Sequence, residues 1–513
     1  MIRIFCNEKL FAQLPWQGKL ETVAAYLDAC GAPASHPCGK HGRCGKCRVH
    51  VTGDVSAPSP AEQALLAPGE LRDGVRLSCE ARVTGGSVRV DLEGAAQSAI
   101  ETSLISRGVA WEPWAKGLGL AVDIGTTTVA AYLWDLEART LLDVQTCANP
   151  QQTFGADVVS RLEASMHGSR EALRHALLQC LDGLARRLCR QAGRSVEELG
   201  GAVLTGNTSM LYTLHGLPVE DIAFAPFDAR HRFGRFCTAE EIGLRWGDGC
   251  RVYIPPCIAA YVGADISCGL LACDVLSARD GLLLADIGTN GELALFTGAR
   301  LLCCATAAGP AFEGVGITCG SSAVDGAVDT VSMREGQMRF HVLGGGEART
   351  LCGSGLLDAV HCLRQLEIVD ETGFLEADDD GVVSLCGEVY LTQKDVRALQ
   401  LAKAAVCAGI ETLLKNGADH GEAPHRVCLA GGFGCRLDPR SAAGIGLIPA
   451  AVAERKLEAV GNTAAAGASL LLRSEAMVRE VERIAALAET VELAVDPFFQ
   501  ERFIADIALE ASI

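Results

Sequence analysis

Residues 118–133 read "LGLAVDIGTTTVAAYL", and residues 281–296 read "GLLLADIGTNGELALF". Each opens with an apolar run long enough for a buried strand, breaks at an Asp-Ile-Gly-Thr core, and resumes as a second apolar run. The break carries turn residues, so each stretch predicts two strands joined by a tight hairpin. The cores start at Asp123 and Asp286, and two further echoes follow. "AVLTGNTSML" (202–211) is matched by "VCLAGGFGCRL" (427–437). The small-residue helix "VGADISCGLLA" (262–272) is matched by "GNTAAAGASLLL" (461–472). Hairpin, glycine turn and helix recur in one order, which predicts a duplicated α/β fold whose two lobes face each other.

The hairpin tips suggest a ligand. Gly and Thr at a tip offer backbone N–H groups and hydroxyls to phosphate oxygens. An Asp at the strand end suits Mg²⁺, which prefers oxygen ligands and keeps its waters. One D-x-G-T is a weak signal, because a strand and a tight turn alone would produce it. Two copies at duplicated positions, with a later "AGGFG", are a strong one. Together they resemble the superfamily of acetate and sugar kinases, Hsp70 chaperones and actin, over residues 117 to about 475. That resemblance implies ATP held between the lobes. Asp123, Gly125, Thr126, Thr127 and Thr128 would form the first phosphate loop, and Asp286, Gly288, Thr289, Asn290 and Gly291 the second. Gly431, Gly432 and Gly434 match the adenosine-side turn. No Walker G-x4-G-K-[ST] is present. In "GPAFEG", Glu313 is a candidate for orienting the attacking water, although position alone favours a capping or hydrogen-bonded structural Glu. Glu292 is open in the same way, and Asn207 in "TGN" most simply stabilises a turn.

A chain of 513 residues exceeds one ordinary core. Residues 1–95 read as a separate α+β unit: the strand "MIRIFC", the helix "ETVAAYLDACG", a Cys-rich loop, the strand "CRVHVTG", a short helix near "SPAEQALL", and the closing strands "VRLSCEARV" and "GSVRVDL". Residues 96–116 read as a linker, with Trp111 and Trp114 expected to dock on a domain. Residues 117–513 then hold lobe I (about 117–280), lobe II (about 281–475) and a C-terminal tail (476–513). In the tail, Phe499, Phe503, Ile504 and Ile507 have helical spacing that predicts a core-packing stripe.

The loop "HPCGKHGRCGKCRVHVTG" (36–53) is too polar for a core, yet it carries three cysteines. Cys38, Cys44 and Cys47 are spaced C-x5-C-x2-C, and Cys79 follows in "RLSCEARV". Four thiolates satisfy a two-iron, two-sulfide cluster, and the interleaved glycines allow backbone N–H groups to approach the sulfides. Structural zinc takes paired C-x2-C knuckles, and only Cys44–Cys47 supplies one. The pattern resembles the 2Fe–2S ferredoxins of β-grasp fold, closer to the adrenodoxin type than to the plant type, with the fourth ligand on a returning strand. Most of the 23 cysteines sit in apolar runs and read as small buried thiols.

The formal charge of −18, from 45 basic and 63 acidic residues, disfavours a polyphosphate backbone, so nucleic acid is not an expected partner. No window approaches 18 consecutive apolar residues, and the N-terminus lacks a signal peptide's apolar stretch. A cytoplasmic protein without a membrane partner is expected.

A one-electron carrier joined to an ATP-driven clamp suggests nucleotide turnover pushing an electron uphill. Ferredoxin-like clusters sit near about −400 mV, and each further 100 mV costs roughly 2.3 kcal/mol per electron. Taken whole, the chain resembles the reductive activators of corrinoid proteins, in "NPQQTFGADVVSRL", "GNTSMLYTLHGL", "ATAAGPAFEGVGITCGS", "LCGSGLLDAV" and "DPFFQERFI". That resemblance implies a corrinoid protein with a Co(II) cobamide as partner, a low-potential electron donor, and a homodimer through the ATPase lobes. Some relatives have an extra small domain after the ferredoxin unit, or iron–sulfur ligands at the C-terminus. Here about 20 residues intervene and the last cysteine is Cys435. Two rivals remain: a dehydratase activator, against which the N-terminal ferredoxin unit argues, and a redox-sensing nucleotide-binding regulator, against which two complete loops argue.

Overall fold

The computed structural model describes residues 1–6, 9–30, 42, 47–92, 107–418, 423–431 and 437–509. The N-terminal unit is a five-stranded sheet in the order β2-β1-β5-β3-β4. It comprises β1 (Ile2–Cys6), β2 (Lys9–Leu14), helix α1 (Val23–Cys30), β3 (Arg48–Val55), helix α2 (Pro60–Leu65), β4 (Val75–Leu77) and β5 (Val83–Leu92). Val23, Tyr26 and Leu27 of α1 pack on Ile2, Ile4, Val51 and Val90, which fixes α1 across the sheet. Two details differ from expectation. The opening stretch is a hairpin, with β2 returning antiparallel so that Phe5 faces Leu10. "VRLSCEARV" is not one strand: β4 ends at Leu77, and the Glu80 and Ala81 N–H groups donate back to the Leu77 carbonyl at 2.9 and 2.8 Å. Cys79 therefore sits in a turn.

The remainder is built from two sheets on one plan. In lobe I, β6 (Leu118–Ile124), β7 (Thr128–Asp135), β8 (Thr140–Ala148), β9 (Leu199–Gly206), β10 (Arg235–Thr238) and β11 (Arg251–Ile254) lie in the order β10-β11-β9-β6-β7-β8. Lobe II begins with β12 (Leu282–Ile287), β13 (Gly291–Phe296) and β14 (Leu301–Thr306). An insertion follows, with β15 (Ala327–Arg334), β16 (Gln337–Val342) and β17 (Thr350–Leu351) as one small sheet and β18 (Val382–Cys386) and β19 (Val389–Thr392) as a hairpin. With β20 (Arg426–Ala430), β21 (Lys456–Gly461) and β22 (Ala488–Thr490), the lobe II sheet runs β21-β20-β12-β13-β14-β22. Thus β11-β9-β6-β7-β8 and β21-β20-β12-β13-β14 are the two copies of the repeat. Their central strands are covered on both faces, which is why they read as unbroken apolar runs.

The helices that position the site are α3 (Val158–Ala164), α4 (Arg170–Gln191), α5 (Thr208–His215), α6 (Ala264–Ala272), α7 (Gly353–Gln365), α8 (Gln393–Gly417), α9 (Thr463–Arg473), α10 (Glu475–Leu487) and α11 (Pro497–Ala505). The two echoed helices, α6 and α9, cross between the lobes, and α9 packs against β6 and β9 of lobe I. They meet backbone to backbone: a methyl group on Gly467 would lie 2.0 Å from the Cys268 carbonyl oxygen, and one on Gly269 would lie 2.8 Å from Thr463 Oγ1. Around this crossing, Ile266, Leu270, Leu284, Cys428, Leu471 and Val481 form a core shared by both lobes.

Residues 107–116 lie on this body: Trp111 Nε1 donates to the Leu136 carbonyl and Trp114 Nε1 to the Leu471 carbonyl, both at 2.8 Å. The C-terminal stretch is woven in as well, since β22 adds to the edge of β14 and α11 lies on α8. The predicted stripe holds only in part. Phe499 packs on the lobe II core, but Ile504 is 71 % exposed, because α11 lies flat on one neighbour and turns its far side to solvent. Among the described residues no helix is long and apolar enough to cross a membrane.

Candidate functional site

The two hairpins meet across the cleft. In the first, Gly125 N donates to Thr128 O at 3.0 Å and closes the turn. The tip is braced from behind: the Thr127 carbonyl accepts from Asn149 N at 2.8 Å and Gln152 Nε2 at 3.0 Å. Asn149 Nδ2 donates to the Gly125 carbonyl at 2.8 Å, and Asn207 Nδ2 to Thr126 Oγ1 at 2.9 Å. Asn207 is also the N-cap of α5, accepting from Met210 N, so the turn residue expected there also fastens the loop. In the second hairpin, Gly288 N donates to Asn290 O at 3.1 Å and Gly309 N to Thr289 O at 2.9 Å. Thr127 Oγ1 and Thr289 Oγ1 come within 3.5 Å of each other.

The echoed glycines press on the hairpin bases. A methyl group on Gly206 (φ +157°) would lie 2.6 Å from the Ile124 carbonyl oxygen. One on Gly431 (φ +91°) would lie 2.5 Å from that of Ile287 and 2.7 Å from Asp286 Oδ1. Only glycine fits either place, so the bare side of Gly431 serves the second hairpin. Gly432 and Gly434 lie outside the described residues.

Four carboxylates converge below the tips. Asp123 and Asp286 are the penultimate residues of β6 and β12, and Asp265 and Glu292 are the second residues of α6 and β13. They sit deep among protein atoms, although the three aspartates keep some surface open to the cleft. Burial pushes Asp123 up to about 6, partly opposed by Asn462, whose Nδ2 donates to Asp123 Oδ2 at 2.8 Å. Burial and then the charge of Asp123 push Asp286 up to about 7. Asp265 and Glu292 are raised too, by burial first and then by the other acids. Asp265, Asp286 and Glu292 thus resist ionising beside their acidic neighbours, which is the electrostatic condition a divalent cation relieves. Asp265 and Asn462 are the residues that sequence reasoning misses here. Both lie in the echoed stretches, Asp265 in the first turn of α6 and Asn462 as the N-cap of α9, but only the fold carries Asp265 to the acids of the hairpins and Asn462 across to the lobe I hairpin.

Glu313 ends a short 3-10 turn, Pro310–Glu313, facing both tips. Its Oε1 accepts from Thr289 N at 2.9 Å and Thr289 Oγ1 at 2.8 Å, and its Oε2 accepts from Thr127 Oγ1 at 2.7 Å. One carboxylate thus ties the two hairpins together.

In the N-terminal unit, Cys47 immediately precedes β3 and Cys79 lies in the turn after β4, both buried. Their sulfurs are 3.1 Å apart, far beyond a disulfide bond, and Ser78 N donates to the Cys47 carbonyl at 2.8 Å. Two thiols converging in one buried place with no disulfide between them suit a soft metal centre. Cys38 and Cys44 fall outside the described residues.

A paired-thiol turn on a five-stranded sheet, joined to a duplicated body with an acid-lined cleft, has the build of a ferredoxin-type unit fused to an actin- and Hsp70-like body. The comparisons agree. Residues 15–84 match the "2Fe-2S iron-sulfur cluster binding domain", residues 118–278 the "RACo middle region", and residues 280–512 the "C-terminal domain of RACo the ASKHA domain". The chain is 30% identical to the "Corrinoid activation enzyme RamQ" of Eubacterium limosum over 75% of its own length and 69% of the relative's. It is 26% identical to the "[Co(II) methylated amine-specific corrinoid protein] reductase" of Methanosarcina barkeri, over 72% of each. Among solved structures, a "Reductive activator for corrinoid,iron-sulfur protein" matches with a TM-score of 0.73 and 25% identity, covering 100% of this chain and 99% of that one. The chain belongs to this family of reductive activators of corrinoid proteins.

Proposed function

We propose that this protein carries out the ATP-dependent reductive activation of a corrinoid protein, delivering one electron that returns an inactive Co(II) cobamide to Co(I). The observation that carries this reading is the union, in one chain, of the buried Cys47–Cys79 thiol pair with an acid-lined cleft between two Gly-Thr hairpins. Cys38, Cys44, Cys47 and Cys79 would hold a 2Fe–2S cluster, which supplies one-electron chemistry when bound. Asp123 and Asp286, joined by Asp265 and Glu292, would hold Mg²⁺ through its waters. The tips, Gly125 to Thr128 and Gly288 to Gly291, would take the phosphates, and the turn Gly431, Gly432, Gly434 the adenosine.

The residues divide the work. Asn149, Gln152 and Asn207 hold the first tip rigid, so its donors need no reorganisation when charge develops on a phosphate. Glu313 is the carboxylate nearest the tips and the candidate for orienting water once it is released from the threonines. The α6–α9 crossing gives the lobes one shared pivot, so hydrolysis of ATP to ADP and phosphate at the hairpins is converted into relative lobe motion. A low-potential donor would refill the electron, and a homodimer through the ATPase lobes is part of this reading.

The test is anaerobic. The purified protein, a reductant, ATP and a Co(II) corrinoid protein are mixed, and the Co(I) absorbance is followed. Asp123→Ala should keep the iron–sulfur spectrum and lose ATP-dependent reduction. Reduction that runs equally well without ATP removes the coupling.

A further inference from the structure

Arg161, on α3, is a buried cation with an unused face. It is 3 % exposed, and it lies in "NPQQTFGADVVSRL", the same segment whose Asn149 and Gln152 brace the first hairpin. Its Nε donates to the Gly155 carbonyl at 2.9 Å, and its Nη1 reaches Met210 Sδ at 3.8 Å. Met210 Sδ also receives Asn149 Nδ2 at 3.5 Å, so the guanidinium is seated against the residues that support the hairpin. Nη2 is buried and has no partner among the described residues. Leaving a charged donor unsatisfied in a buried place costs more than a hydrogen bond is worth, and such an atom calls for a ligand.

Two carboxylates act on Arg161 electrostatically, Asp157 and Glu313, and it makes an ion pair with neither among the described residues. Burial lowers it only to about 10, so it keeps its charge at neutral pH. Glu313 meanwhile is occupied by three donors from the two tips, Thr127 Oγ1, Thr289 N and Thr289 Oγ1. Those donor types are the ones a phosphate takes, and a carboxylate bridging both hairpins fills the place of an anion. A buried guanidinium fork within the field of that place is a phosphate ligand waiting for its anion.

Resting on the nucleotide reading above, we propose that Arg161 binds the terminal phosphate of ATP, and that Glu313 holds the anion position between Thr127 and Thr289 until the nucleotide displaces it. Arg161 then gains the partner that Nη2 lacks. Glu313 is set free only when a terminal phosphate is present, so the latch distinguishes the triphosphate from the diphosphate.

The experiment measures binding of a non-hydrolysable ATP analogue and of ADP to the full-length, cluster-loaded protein with Mg²⁺, by calorimetry. Arg161→Met keeps the volume and removes the charge, an exchange that buried ions often tolerate. It should weaken the ATP analogue by tenfold or more and change ADP by less than twofold. Arg161→Lys, which keeps the charge without the fork, should fall between and serves as the test if the Met variant does not fold. Glu313→Gln should tighten the analogue by about threefold or more, because a neutral amide competes less well with phosphate. Equal losses for both nucleotides, or no loss in a folded Arg161 variant, overturn the arginine's role. A weaker analogue in Glu313→Gln overturns the displacement. Wild-type protein that binds neither nucleotide overturns the ATP reading itself, a different failure from these.

Discussion

The ferredoxin-like unit places a charge pair where its loss should be felt at the cluster. Glu62, fully buried on α2, receives Arg76 Nε at 2.9 Å and Nη2 at 2.8 Å, and Arg76 is 5 % exposed. The same carboxylate accepts from Ser59 N at 2.8 Å and from Leu77 N at 3.0 Å, so it caps its own helix and fixes the end of β4, two residues before Cys79. Glu62→Ala leaves the guanidinium buried and uncompensated, which costs about 3–5 kcal/mol. Whole domains have only about 5–15 kcal/mol to lose, and in a unit of this size the loss lowers the unfolding midpoint by roughly 12 °C or more. The assay is cluster absorbance followed during heating under anaerobic conditions, with iron content per chain measured beforehand. We expect reduced iron occupancy and an early loss of absorbance. Replacing both partners, Glu62→Met with Arg76→Met, should recover much of the midpoint, because no buried charge is left alone. A Glu62→Ala protein with full iron content and a midpoint within about 2 °C of wild type would refute the reasoning, since deviations that small correspond to well under 1 kcal/mol. The pair also sets a pH limit. Burial alone would raise Glu62, but its bonds to Arg76 and the two N–H groups hold it below its ordinary 4.5, so its stabilisation is present above that pH and is lost as pH falls through the lower, folded value.

Two further outcomes can be checked directly. Gly467→Ala pushes a methyl into the Cys268 carbonyl at 2.0 Å, so it should cost about 1–3 kcal/mol and blunt any nucleotide-dependent protease protection of the lobes; Gly269→Ala, facing the movable Thr463 hydroxyl, should do less. Asp358 on α7 is 1 % exposed and is pushed up to about 7, chiefly by burial, while its Oδ2 accepts from Val331 N at 3.1 Å. The folded protein therefore binds the extra proton, and stability should fall as pH rises from about 4 to about 7, by at most about 4 kcal/mol. Asp358→Asn should flatten that slope in thermal melts across the same range.

The hairpins were readable because their signal is local. A buried run, a Gly-Thr tip and a second run need no distant partner to be recognised, and duplication confirmed the pattern. Cys47 stands out for the opposite reason, as a thiol out of place in a polar loop, and the fold brings its sulfur to 3.1 Å from that of Cys79. What escaped depends on distance in the chain. Asp265 reads as an ordinary acid in a first helical turn until the fold sets it beside Asp123 and Asp286. The strand β22 has three residues and exists because β14 offers it an edge, which no propensity encodes. Cys79 was placed on a strand because alternation continues through "RLSCEARV", while the Leu77 carbonyl, capturing two later N–H groups, turns the chain there. Arg161 hid among helix arginines, since burial is what separates it from them.

The trade of helices between the lobes makes each repeat dependent on the other. Lobe I's last helix, α6, brings Asp265 to the acids shared with lobe II, and lobe II's last helix, α9, carries Asn462 back to Asp123. A gene half this long would encode a product with an unfinished cleft, able to complete itself only by embracing a twin. In the single chain that embrace is permanent, and the two helix starts contribute differently, an acid in the first turn of α6 and an amide at the N-cap of α9. Coexpressed halves of this chain should therefore find each other, whereas either half alone would expose the glycine-lined seam it was meant to close.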